Sequence, residues 1–104
     1  MIYRVIRQDG KVKLFKGATG NWHEVFPERS RVLRDHSTEF EMGYGGSGPA
    51  QLALALSLEV LDNAQSALDC YQRFKVAWLL KERDEFTITK QTFLRWFTKE
   101  FVTI

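Results

Sequence analysis

Cysteine is all but missing from this 104-residue chain. Cys70 is the single copy, so no internal disulfide can form, and a reduced, cytoplasmic setting is expected. Long apolar runs are missing too. The longest stretch without a charge, Met42 to Leu58, is glycine-rich over its first half, which leaves too few apolar residues to cross a bilayer, and no membrane partner is expected. The opening Met1–Arg7 lacks an extended apolar core, so no secretory leader is expected. His23, His36 and Cys70 show none of the spacings of a metal site, and neither a metal nor a cofactor is expected. Residues 35–62 contain no lysine or arginine at all.

What is present describes one domain, residues 1–104, large enough to bury roughly 60–70% of its unfolded surface without metal or disulfide staples. The supply of rings is generous: three Trp, three Tyr and eight Phe. The net charge of +2 hides an uneven layout. Residues 1–34 carry eight Lys/Arg against three acids, residues 35–62 carry five acids and no base, and residues 63–104 carry seven bases against five acids. A basic first third, with Arg4, Arg7, Lys11, Lys13 and Lys16, is the pattern of a nucleic-acid or acidic-partner surface. The plainer alternative is that the basic and acidic segments meet in the fold and neutralise each other.

Local patterns predict an α+β fold, an N-terminal antiparallel hairpin or small sheet followed by three helices. Ile2–Arg7 and Lys11–Phe15 alternate in strand fashion around Asp9-Gly10, a strong two-residue hairpin signal. Val12 and Leu14 share one face. Residues 16–27 read as a loop, broken by Gly17, Gly20 and Asn21, with Trp22, Val25 and Phe26 tucked onto the core. Arg31–Arg34 and Thr38–Met42 read as further strands. Pro49 suits a first helical position, and residues 50–61 are apolar nearly all the way round, the mark of a central helix covered on every side or by a second subunit. A second helix over residues 64–82 places Ala64, Ala67, Leu68, Tyr71, Phe74 and Trp78 on one face. After the extended Phe86-Thr87-Ile88, Thr89 is the expected N-cap of a third helix that aligns Phe93, Trp96, Phe97 and Phe101.

The segment with the most chemistry is Gly43-Tyr44-Gly45-Gly46-Ser47-Gly48-Pro49, which holds four of the seven glycines and leads straight into the apolar helix. Read literally it satisfies G-x-G-x-x-G. The dinucleotide fingerprint also needs a βαβ unit and a later acidic residue, and the chain has no room for them. A Walker loop needs Lys-Ser/Thr after the last glycine, which is missing. Two readings stay open. Backbone amides at the helix start, with the Ser47 hydroxyl, could cradle an anion, with His36 and Gln51 beside them. Against this, the loop has no base of its own and follows Glu39 and Glu41, so the glycines could serve close packing alone. Asp35, His36 and Ser37 are adjacent in sequence and do not make a triad, which geometry rather than composition defines. No catalytic residue is assigned.

The run from His36 through Gly43-Tyr44-Gly45-Gly46-Ser47-Gly48-Pro49 to Ala55 resembles the signature of a family of small bacterial and phage domains catalogued only as a domain of unknown function. The resemblance extends through Tyr71-Gln72-Arg73-Phe74-Lys75 to Phe86-Thr87-Ile88-Thr89 and departs at Met42, where similar sequences carry Trp. It implies no activity, cofactor or catalytic residue. The leading expectation is a non-enzymatic binding or protein-interaction module, an accessory protein of a mobile element being one setting. A homodimer in which a second subunit covers Leu52–Leu61 is compatible with the apolar helix. The alternatives are a phosphate- or nucleotide-binding protein, catalytic or not, that uses residues 43–49, and a nucleic-acid binder that uses the basic hairpin.

Overall fold

A computed structural model describes residues 1–102. The chain opens with β1 (Ile2–Gln8) and β2 (Lys11–Ala18), paired antiparallel around Asp9-Gly10. Both turn residues have positive φ, 54° and 76°, the left-handed geometry whose twist matches that of the flanking strands. The pleat sends Tyr3, Val5, Val12 and Leu14 into the core, each buried. Ile2, Arg4, Ile6, Lys13 and Phe15 therefore face the opposite way.

Residues 16–27 are not a loop. β2 runs on to Ala18, and β3 (Asn21–Val25) returns along it, joined only by Thr19-Gly20. Gly20, with φ 75°, is the corner of a tight hairpin rather than the start of an irregular stretch. Val25 is buried as expected, whereas Trp22 and Phe26 remain exposed. The expected strand at Arg31–Arg34 is instead the short helix α1 (Glu28–Leu33). Local bonds override strand propensity there. The Ser30 hydroxyl donates to the Pro27 carbonyl at 2.8 Å, Arg31 pairs with Asp35 one turn on, and Val32 simply points to solvent, 85% exposed. Thr38–Met42 makes a single bridge, Val12 to Phe40. Its alternation is nonetheless real in burial, because Phe40 and Met42 both enter the core.

The apolar helix is α2 (Ser47–Leu61), with Gly46 as its N-cap. It starts two residues earlier than expected, so Pro49 sits within the first turn, where its missing N–H costs no intrahelical bond. Leu52, Ala53, Leu54 and Leu56 are fully buried. Their cover comes from the same chain: one core cluster joins α2 to the inner face of the sheet and to the later helices. No second subunit is needed over Leu52–Leu61.

The second helix is shorter than expected. α3 (Ala64–Phe74) gives way to a π-helical turn at Lys75–Leu79. The wider turn brings residues five apart onto one face, and Phe74 and Leu79 are both fully buried. Strand β4 (Glu85–Thr89) then pairs antiparallel with β1, completing a four-stranded sheet of order β3-β2-β1-β4. Thr89 caps α4 (Lys90–Phe101) as expected, its hydroxyl accepting from Thr92 N at 3.0 Å.

Phe74 is the hub of the aromatic cluster. Its ring lies 5.1–6.3 Å from those of Phe93, Trp96, Trp78 and Phe86, tying α3 to α4 and to β4. Such pairs add about 0.5–1.5 kcal/mol each beyond their burial. Phe74→Ala is expected to destabilise the fold by about 3–5 kcal/mol, measured by urea unfolding. Val32→Ala on exposed α1 is expected to change stability by less than about 0.5 kcal/mol.

Candidate functional site

The glycine segment is held from three sides. Gly43 has φ 103°, a conformation that side chains disfavour, and its N–H donates to the Leu79 carbonyl of the π-turn at 2.8 Å. Arg7, on the inner face of β1, bonds the Met42 carbonyl, Glu41 and Glu82, all at 3.3 Å. The backbone N–H of Arg7 donates to Asp84 O at 2.9 Å. The guanidinium, 23% exposed, thus fastens the chain before the loop to the chain before β4. Lys75 donates to the Gly45 carbonyl at 3.3 Å.

Close approach accounts for two more glycines. A Cβ on Gly46 would collide with the Tyr44 ring, and one on Gly48 would lie 2.5 Å from Glu41 Cβ. The expectation that the loop lacks a base holds only along the sequence, since Lys75 reaches it from the start of the π-turn. That ammonium is engaged by a carbonyl, however, and the carboxylates of Glu41 and Glu82 lie against the same segment. Tyr44, Gly45 and Ser47 are exposed, while Gly48 is buried with the start of α2.

His36 and Gln51 do come together, in a polar network at the edge of the core. Gln51 is fully buried, and a buried amide needs partners for both its ends. Its Oε1 accepts from His36 N at 2.7 Å and Ser37 N at 3.2 Å, and its Nε2 donates to Ser30 Oγ at 2.7 Å. His36 Nε2 lies 2.8 Å from the hydroxyl of buried Tyr71. Gln72 Nε2 donates to that same hydroxyl at 3.2 Å. The consistent arrangement has Tyr71 donating to an unprotonated His36 Nε2, an assignment made from the network. Burial pushes the His36 pKa below the ordinary histidine value, and the nearby charges of Arg34 and Lys75 push the same way against a smaller opposing effect of Asp35. Ser30 and Tyr71 were not foreseen as members. The available signal was the helical spacing that buries Tyr71, because a buried tyrosine hydroxyl requires a partner.

The five bases of the N-terminal hairpin separate. Arg7 points inward as described. Lys16, also inward, reaches Glu59 at 2.6 Å, and Glu59, its side chain 7% exposed, also takes Arg29 at 2.9 Å. Arg4 lies on the outer face and pairs with Glu85 through two bonds of 3.2 Å. Lys11 and Lys13 lie on that outer face too. The basic and acidic segments therefore meet, as the plainer reading had it, at Lys16, Arg29 and Glu59. Cys70 is buried, and burial raises its thiol pKa. Among the described residues no group of three or more His, Cys, Asp or Glu is placed to hold a metal ion.

These features define a small α+β module whose polar groups at the candidate site mainly bond one another. The chain belongs to DUF6166, a family of unknown function, which it matches over residues 4–99. No curated protein and no solved structure matches it.

Two expectations follow. Gly48→Ala should lose about 1–3 kcal/mol through overpacking against Glu41, whereas Gly45→Ala, whose added Cβ meets only Leu80 Cδ2 at 3.5 Å, should be near neutral; thermal melts compare them. For His36, folding lowers the pKa, so the unfolded chain takes up the proton first as the solution is acidified. The contribution is fully present above the ordinary histidine value of about 6.5 and declines as pH falls through it toward the folded value. Urea titrations from about pH 8 to about pH 5 should show this decline, and His36→Asn should flatten it.

Proposed function

We propose that the protein is a non-enzymatic interaction module that presents the outer face of its sheet to a protein partner. The observation that carries this is the apolar surface left outside the core. Ile2, Ile6 and Phe15 take no part in the core cluster, and Trp22, on the neighbouring strand, is 36% exposed. Ile2, Ile6 and Phe15 are half-buried, and with Trp22 they put four large apolar side chains on one face of the sheet, more than the scattered exposed residue that needs no explanation. By contrast, His36, Gln51 and Tyr71 each bond a structural neighbour, which supports a scaffolding role for them.

A second reading is anion binding at residues 43–49, favoured by the position of Lys75 beside Gly45 and by the uncapped start of α2. A third is nucleic-acid binding, favoured by Lys11 and Lys13 on the outer face. One set of measurements separates the first two. Phe15→Thr and Trp22→Thr are expected to lower stability by about 1 kcal/mol or less, since this face serves binding rather than folding. Amide spectra recorded with inorganic phosphate and with ATP are expected to stay still at residues 43–51. A loss of several kcal/mol would assign the face to the fold, and shifts at the loop would favour the anion reading.

A further inference from the structure

We infer that His36 is an acid-released latch: its neutral ring fastens residues 34–38 over α2 and α3, and its protonation lifts that strap while the core stays closed. The strap has no apolar anchor of its own. Between half-buried Leu33 and buried Phe40 the chain reads Arg34-Asp35-His36-Ser37-Thr38-Glu39, so polar bonds must hold it down. The N–H groups of His36 and Ser37 donate to Gln51 Oε1 on α2, at 2.7 and 3.2 Å, and His36 Nε2 meets the Tyr71 hydroxyl of α3 at 2.8 Å. Segments with few buried apolar contacts are the ones that open without global unfolding.

The bond to Tyr71 depends on the protonation state of the ring. The hydroxyl has one proton to give, and it already accepts from Gln72 Nε2 at 3.2 Å. A protonated Nε2 becomes a donor itself. Tyr71, 1% exposed, would then accept twice, and its own proton would find no acceptor among the described residues. A buried donor left in that state is costly. The surrounding charges act in the same direction. Facing the ring are Arg34 and Asp35 of the strap, the Tyr71 hydroxyl of α3 and Lys75 at the start of the π-turn, while α2 offers the uncharged Gln51. The one acid among them, Asp35, is held by Arg31 of α1 through bonds of 2.8 and 3.0 Å. An imidazolium is therefore poorly served in the closed strap and regains water when the strap lifts. Burial first, then Arg34 and Lys75, lowers the His36 pKa in the closed form. Closure is thus favoured above the ordinary histidine value, and opening grows as pH falls from there toward the closed-form value. Tyr71 stays in the core cluster without the strap, so lifting uncovers its hydroxyl and the Gln51 amide, beside the entry of the glycine segment into α2.

Amide hydrogen exchange of the full chain, read by NMR from about pH 8 to about pH 5 and corrected for intrinsic rates, tests the latch. The His36 and Ser37 amides report the strap, and the Leu54 amide, within buried α2, reports global unfolding. Opening at His36 and Ser37 is expected to exceed that at Leu54 throughout and to be insensitive to sub-denaturing urea. It should increase roughly tenfold for each pH unit between the open and closed pKa values of His36. His36→Asn is expected to abolish the acid dependence at Ser37, and Arg34→Gln, an exposed substitution, to reduce it. Strap amides whose opening does not change with pH overturn the inference. Strap amides that follow Leu54 in both rate and urea dependence also overturn it, because the network then opens only with the whole fold. Acid dependence that survives His36→Asn assigns the effect to another group and overturns it as well. Should His36→Asn fail to fold, the parent chain and Arg34→Gln decide: equal acid dependence in the two overturns the latch.

Discussion

A helix with no polar side has to be covered all round, and the rest of this structure follows from that constraint on α2. A chain of 104 residues has few ways to cover a fifteen-residue helix. It uses the inner face of an antiparallel sheet, with Tyr3, Val5, Leu14 and Ile88, and the faces of α3 and α4. Among the described residues the Ser57 hydroxyl of α2 is buried without a hydrogen-bond partner, but Gln51 and Glu59 are satisfied inside the protein, where leaving a buried amide unpaired costs about 1–3 kcal/mol. Gln51 solves this by bonding the backbone of His36 and Ser37 together with Ser30. The same bonds fix α1 and the following segment over the helix. Glu59 solves it with two cations from different elements, Lys16 and Arg29.

The glycine segment is the geometric counterpart of the buried helix. To enter α2 from beneath neighbouring elements, the chain must pass close to Glu41 and turn through a left-handed residue at Gly43. Small residues make that passage possible. Arg7 then clamps both the loop approach and the approach to β4, so that β1 and the segments before the loop and before β4 share one anchor. An acidic lining built from Glu41 and Glu82 stabilises the arginine, and it is the same feature that makes the segment a less inviting place for an anion. One arrangement of charge thus has consequences for both folding and binding.

Legibility from sequence tracked how local the cause was. Asp9-Gly10, Thr89 and the apolar run of α2 announce themselves within a few residues, and each element appeared where its own residues placed it. Strand β3 was lost because Gly17 and Gly20 are breakers in isolation, and only pairing with β2 makes a strand of Asn21–Val25. Strand β4 was legible as an extended piece, but its partner β1 lies far back at the start of the chain, Ile6 opposite Glu85. Helix α1 depends on Ser30 and on the Arg31–Asp35 pair more than on propensity, and the π-turn depends on burying Phe74 and Leu79 together. His36 and Gln51 were grouped only as neighbours of the glycine loop, whereas the structure joins them through the His36 backbone N–H. Tyr71 and Ser30 come from other elements, and no spacing in the chain connects them.

The sheet carries the remaining asymmetry. Its inner residues are consumed by α2, and even the charges there are spoken for, by Glu41 at Arg7 and by Glu59 at Lys16. Its outer residues include Phe15, Trp22, Ile2 and Ile6, outside the core cluster among the described residues. A polar outer face would serve an isolated antiparallel sheet better, since such sheets ordinarily alternate apolar inward with polar outward. These four side chains lie outside the cluster that covers α2. The tie between Arg4 and Glu85 neutralises part of the charge on that face. Folding is carried by the inner face and the helices, and the large apolar residues of the outer face take no part in the core cluster among the described residues.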